Sequence, residues 1–369
     1  MCKLKSAIIL KDRIFMPDYD SHSKMLEELG ITDDYINASK VFVRAELAPE
    51  NGDVFSNIDD WKLEVDQDIT PEWFDKKDCT ERMRKAVKEW AKTHIFIGQN
   101  DLKISHGENI FIKDCEDVEI CDNATVKCIY GNATVNNICG NATVENIYDN
   151  AAVENIFDNA TVKYIYGNVT VENIFDNVTV ENIRGNATAN NICGNATVNN
   201  ICGNATVDNI YGNATVKYIY GNATVEYIYG KSTVEYIYGK STVKNICDNA
   251  TVKNIYDNAM VKYIYNNATV KYIYGEATVK RICDNAKVES ICDNAKVESI
   301  CGKVTAKCIY GDATVKNIYD NATVISSQYT KWNNSTSMVI DDNATFKDCY
   351  SKTIYQAGGW EFVKVTRGK

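Results

Sequence analysis

Proline is nearly absent: the chain of 369 residues contains three, too few for a proline-rich linker or polyproline segment. Histidine is as scarce. His22, His94 and His106 are the full set, and none lies in metal-ligand spacing with a cysteine or a second histidine. No apolar run approaches the roughly 20 residues of a membrane-spanning helix. The N-terminal stretch MCKLKSAIILKDRIF holds only a short apolar run between charges, too little for a secretory core. The expectation is a soluble protein without a classical export signal or transmembrane segment, cytoplasmic or virion-associated. A nucleophile elbow, a phosphate loop and a dinucleotide fingerprint are missing as well.

Cysteine is not missing. There are 14, and many share one repeat position with Tyr and Phe, which reads as interchangeable packing rather than a disulfide framework. Free thiols and a reducing compartment follow.

What is abundant is Asn, Ala, Thr, Val, Ile and Tyr in short runs, a strand-favouring set. Residues 122–319 form 22 consecutive nonapeptides of the form [G/D/N]-N-[A/V/S]-T-V-x-[N/Y]-I-[Y/C/F], without insertion. Position 8 is isoleucine in every copy, from Ile129 to Ile318, and position 5 is valine except at Ala189 and Ala306. These positions are assigned to the core, with small position 3 beside them. Where Ala306 replaces valine, position 3 becomes Val304, the volume exchange that close packing demands. Position 4 is mostly Thr but accepts Met260, Lys287 and Lys296, and position 6 varies among Glu, Lys, Asn and Asp, so both are assigned to solvent.

Position 1 is Gly, Asp or Asn, the residues that tolerate positive φ, so a tight turn is expected there. Strict alternation from position 5 would send position 8 outward. The chain must therefore bend or bulge near positions 6 and 7, giving a turn, a short strand, a corner and a second short strand. One nonapeptide is too short to enclose Val and Ile. Two repeats per 18-residue coil are expected, with three as the alternative, and at about 4.8 Å per rung 11 coils make a rod roughly 50 Å long. The fold class is mainly β: a parallel β-solenoid (β-helix or β-roll like) with a small α+β N-terminal domain and a C-terminal cap.

Burying a Val or an Ile contributes about 1.5–3 kcal/mol, whereas ordering a residue's backbone costs about 1–2 kcal/mol. One repeat cannot fold alone; stability comes from neighbouring coils, and the open ends need caps. The expected division is residues 1–100 as the N-terminal domain, 101–121 as an N-terminal solenoid cap, 122–328 as the array and 329–369 as the C-terminal cap, the last including the aromatic segment Gly359-Trp360-Glu361-Phe362-Val363. In the N-terminal domain, strands are expected at Ala7–Leu10, Val41–Leu47 and Trp61–Val65. Helices are expected near Ser23–Leu29 and Thr80–Lys92, the second capped by Asp78 or Thr80 with Met83, Val87, Trp90 and Ala91 on one face.

Three groups of residues have the composition of a chemical site. Asp18, Asp20 and His22 form a D-x-D-x-H run of a type that binds cations, but it sits at a turn before a helix, where capping or solvation is the ordinary role. Asp66 and Asp68 are read as solvated loop acids rather than a catalytic pair. Cys283 and Cys301 stack one rung apart in an 18-residue coil, close enough for a disulfide, yet Tyr fills that position in most repeats, so they are read as semi-buried thiols. No catalytic, cofactor-binding or metal-binding residue is assigned, and no cofactor is expected. Each N-A-T matches the glycosylation sequon, a by-product of turn and strand preferences in a chain without an export signal.

The favoured function is a non-catalytic structural or interaction scaffold presenting a repetitive polar and aromatic surface to a protein or glycan partner. Nucleic-acid mimicry is weakened by the distribution of the −10 net charge. Residues 1–112 carry −6, the remainder only −4, and Lys and Glu intermix at position 6. Ice binding through the Thr and Asn ranks is weakened by Lys231, Lys240, Lys287, Lys296 and Lys303. An enzyme in the N-terminal domain is the remaining alternative. Neither nucleic acid nor a membrane is an expected partner.

Two resemblances attach to these residues. Gly or Asp at position 1 and the aliphatic position 8 resemble the calcium-binding nonapeptide β-roll, but its further glycines and metal-binding aspartate have no counterpart, so calcium is not expected. VFVRAEL, WKLEVDQDITPEWF and AVKEWAK ahead of NATVENIY-type repeats resemble uncharacterised repeat proteins of gut bacteria and their phages, a resemblance that implies a solenoid and no established activity.

Overall fold

The structure is a computed structural model that describes residues 5–326, 339–341, 343–348, 353–358 and 361–366. The chain begins with an antiparallel sheet in the order β2-β1-β3-β4, formed by β1 (Lys5–Leu10), β2 (Ile14–Phe15), β3 (Phe42–Ala48) and β4 (Lys62–Val65). One face of it packs on helix α3 (Lys76–His94), where Met83, Val87 and Trp90 meet Ile9, Val43, Leu47, Trp61 and Leu63. The other face buries Ile8, Leu10 and Phe42 against Met25 and Leu26 of α1 (His22–Glu28).

The three strands and two helices read from the sequence are present. The short α2 (Tyr35–Ala38) and the two-residue β2 had no periodicity to announce them. Helix α3 starts earlier than expected. Asp75, not Asp78 or Thr80, is its N-cap and accepts from the Asp78 amide at 2.8 Å. The C–T–E–R stretch that follows has helix-compatible residues throughout, so the first available Asx cap sets the start.

Helix α3 runs without a break into β5 (Ile95–Ile97), the first strand of a parallel solenoid of about 13 turns spanning residues 95–347. The lead-in of residues 101–121 is solenoid itself, since Ile95–Ile97 pairs with Ile110–Lys113 and Lys103–Ile104 pairs with Val118–Ile120. The N-terminal domain closes this end. Trp90 meets Phe111 edge-on at 6.5 Å, and Phe55 stacks on Tyr130 at 5.7 Å.

Two repeats make one coil. Thr134–Ile138 pairs with Ala152–Ile156, 18 residues on, while the intervening Thr143–Ile147 pairs with Thr161–Ile165. Alternate repeats therefore build two sheets. The first runs from Lys103–Ile104 through Thr134–Ile138 to Thr314–Ile318 and Val339–Ile340; the second runs from β5 through Thr125–Tyr130 to Thr345–Asp348. Position 3, 5 and 8 side chains of both sheets meet in one continuous core from Ile104 to Phe346, with Val304 and Ala306 both buried in it.

Instead of two short strands around a corner, each repeat after the first has a single five-residue strand at positions 4–8, and the first has a six-residue one. The expected irregularity survives inside it. The ladder pairs positions 4, 5, 7 and 8 and skips position 6, as in Thr143, Val144, Asn146 and Ile147 against Thr161, Val162, Tyr164 and Ile165. That skip places two residues between inward Val and inward Ile.

Position 1 is left-handed throughout the array. At Gly140, with φ of 66°, a Cβ would lie 2.7 Å from the Asp122 amide nitrogen one rung below, so glycine is required by space as well as by torsion. Aspartate at this position contributes a bond instead: the Asp158 carboxylate accepts from the Gly140 amide at 3.0 Å and that of Asp293 from Gly275 at 3.3 Å. Beyond Val324 the spacing of the pairs lengthens, with Ile340 paired to Ile318 and Thr345 to Thr323, 22 residues apart. Antiparallel strands Thr353–Gly358 and Glu361–Thr366 then extend the second sheet beyond Thr345–Asp348; Gly359 and Trp360 lie outside the described residues.

Candidate functional site

The residues considered for metal chemistry do not converge. Asp18 faces His94 Nε2 at 3.2 Å, Asp20 faces Lys5 at 3.7 Å, and His22 Nδ1 faces Asp66 at 3.3 Å while its Nε2 lies 3.2 Å from the Ala45 carbonyl. Each is thus held by a different element of the N-terminal domain. Lys5 is fully buried, its ammonium 5.2 Å from the Trp90 ring, and burial lowers its pKa against the raising pull of Asp20 and Asp18. Asp66 is engaged with His22, whereas Asp68 borders a surface depression with Asp33, Tyr35 and Arg44. Among the described residues no group of three His, Cys, Asp or Glu is arranged to hold a metal ion.

The rod's turns and strands carry side-chain ladders with an 18-residue period. At position 7 of the first sheet, Asn155 donates to Asn137 at 3.3 Å, Asn173 to Asn155 at 3.1 Å, Asn191 to Asn173 at 3.0 Å and Asn209 to Asn191 at 3.2 Å. The turn asparagines at position 2 do the same, as in Asn141 to Asn123 at 3.3 Å and Asn222 to Asn204 at 3.2 Å. A short amide satisfies one donor and one acceptor per rung along the axis, which explains the preference for Asn at both positions.

Position 9 makes aromatic ladders along both edges. Tyr220, Tyr238, Tyr256 and Tyr274 stack at 5.1, 5.0 and 4.9 Å, and Phe157 on Phe175 at 5.3 Å. Arg184 replaces a ring in one of them and lies 5.1 Å from Tyr166. Burial raises the Tyr256 phenol to about 12. The described cysteines are all free. Burial, then the neighbouring Cys301, raises the Cys283 thiol to about 12, so that thiol is neutral at physiological pH.

Sorting the repeats onto two sheets changes the charge pattern read from the sequence. On the second sheet Lys and Glu intermix, with Lys127 and Lys163 both paired to Glu145 and Lys253 to Glu235. On the first sheet they are largely segregated, Glu298 being the exception. Its position 6 reads Asn136, Glu154, Glu172, Asn190, Asp208 and Glu226, and then Lys244, Lys262, Lys280, Glu298 and Lys316. Glu226 and Lys244 form a salt bridge at the junction. The expectation of no sustained stripe fails on this face because a nine-residue period averages two sheets that the 18-residue coil separates. Writing the sequence at period 18 exposes the segregation. Tyr227, Met260 and Tyr263, exposed to 37, 47 and 36%, lie on the same sheet near the junction.

The threonine rank is likewise sorted: on the second sheet it is unbroken from Thr125 to Thr269 and ends at Lys287. Among the described residues no helix is long and apolar enough to cross a membrane. Comparison with protein-family models, with curated proteins and with solved structures finds no match for this chain.

Proposed function

We propose that the chain is a non-catalytic interaction scaffold, a rod whose two sheet faces bind a protein or glycan while the N-terminal domain closes one end. One observation carries this reading: the near-invariant Val and Ile of the repeat are spent inward, on the core, and the variable position 6 is displayed outward on both faces. Variation along a regular exposed rank tunes a binding surface without altering the fold.

Crosslinking of the full chain in a lysate of its source organism, read by mass spectrometry, tests it. Crosslinks from partner molecules are expected at the position 6 lysines of one face. Partner crosslinks confined to the N-terminal domain, or a copurifying cofactor with turnover, would overturn it. Ice binding is a second reading, favoured by the unbroken threonine rank and opposed by the charged rank beside it; thermal hysteresis of the purified chain decides that point.

A further inference from the structure

We propose that the first sheet is a homodimer interface, on which a second copy of this chain lies face to face and antiparallel, acidic half against basic half. The six strands from Thr134–Ile138 to Thr224–Ile228 carry Glu154, Glu172, Asp208 and Glu226 and no cation. The five from Thr242–Ile246 to Thr314–Ile318 carry Lys244, Lys262, Lys280, Arg281, Lys296 and Lys316 against the single carboxylate Glu298. Such a face is its own complement under one operation, a two-fold axis parallel to the strands. That axis reverses the rod and keeps position 6 opposite position 6, which makes the contact isologous and closed.

Charge fixes where the axis falls. Placed between the Glu226 and Lys244 rungs, it sets Glu226 against Lys244 of the second copy, Asp208 against Lys262, Asn190 against Lys280 and Glu154 against Lys316. A shift by half a rung either way puts Glu226 or Lys244 against itself. One like-charge pair remains, Glu172 against Glu298. Tyr227, Met260 and Tyr263 fall within two rungs of the axis, so the centre of the face is its most apolar part and the charged ends flank it.

The size suits a stable pair. Eleven strands of five residues cover about 50 Å by about 16 Å, roughly the 800 Å² per partner of a standard interface. A nucleic acid laid along the rod would meet the basic half and be repelled by the acidic one. The inference deepens the scaffold reading by naming a partner for one face.

Sedimentation equilibrium of the full chain at about 0.02 M and about 0.5 M salt is the test. A dimer is expected at low salt, with dissociation at least tenfold easier at high salt. Two charge-reversed variants, Lys262→Glu with Lys280→Glu and Asp208→Lys with Asn190→Lys, are each expected to be monomeric alone and to form a heterodimer when mixed. Glu298→Lys, which removes the one repulsion, is expected to tighten the dimer several-fold.

A monomer at low salt, a dimer indifferent to salt and reversal, or low-salt binding of a single-stranded oligonucleotide in place of dimerisation would each overturn the proposal. Should a variant fail to fold by circular dichroism, the salt response of the unmutated chain still decides. A monomer would leave the scaffold reading untouched, because partner crosslinks test that reading separately.

Discussion

The N-terminal domain and the solenoid bury comparable side chains by opposite means. In the domain each core residue is unique: Trp61 sits beneath α3, reached through contacts between β1, β3, β4 and the helix, and no second residue repeats its environment. In the solenoid every Ile at position 8 except Ile309, which meets Ser326 on one side, has an isoleucine above and below it, and cooperation runs along one axis. A unique core fails as a unit, whereas a stacked core fails locally.

The largest effect that sharpens this comparison comes from rung arithmetic. Deleting residues 212–229 removes one coil and returns every later repeat to its own sheet, so a shorter folded rod is expected. Deleting residues 212–220 sends every later repeat to the opposite sheet and misplaces Val339–Ile340 and Thr345–Asp348. Thermal melts should show a fall in Tm several times larger for the single deletion. Equal tolerance of both would break the 18-residue coil.

Next in size are core truncations. Trp61→Ala and Ile201→Ala are each expected to cost about 3–5 and about 2–5 kcal/mol. The distinguishing readout is hydrogen exchange: faster exchange throughout residues 5–94 for the first, and only in the rungs next to Thr197–Ile201 for the second. Uniform acceleration in both variants would erase the contrast drawn between the two regions.

The smallest effect is titration of the aromatic edge. The Tyr256 phenol, raised from its ordinary value of 10.0 to about 12, favours the protonated form in the folded state. Its contribution is fully present below pH 10 and lost as pH rises through 12. Stability measured by denaturant should therefore fall across that window. Spectroscopic titration should find Tyr238, Tyr256 and Tyr274 ionising above the ordinary value of 10.0; ionisation at that ordinary value would contradict the ladder.

Much of the solenoid was legible because its signal is repeated 22 times: the invariant Ile, the Gly/Asp/Asn turn and the compensating Val304 and Ala306 each read directly as packing. The N-terminal strands and helices were legible as elements, but not their partners. Nothing in Asp18-x-Asp20-x-His22 says that its three side chains go to His94, Lys5 and Asp66. The expected division at residue 100 came late because Ile95–Ile97 lacks the turn signature, although it already forms a rung.

The candidate surface was the least legible part, for a reason of period. Local chemistry set by nearest neighbours, such as positive φ at position 1 and burial at positions 5 and 8, was determined by the nonapeptide alone. Which repeats share a face depends on how many close one coil, a long-range property of the backbone. The tertiary structure decided that number, and with it the charge segregation of the first sheet, because side chains 18 residues apart become neighbours only after the chain has turned once around its core.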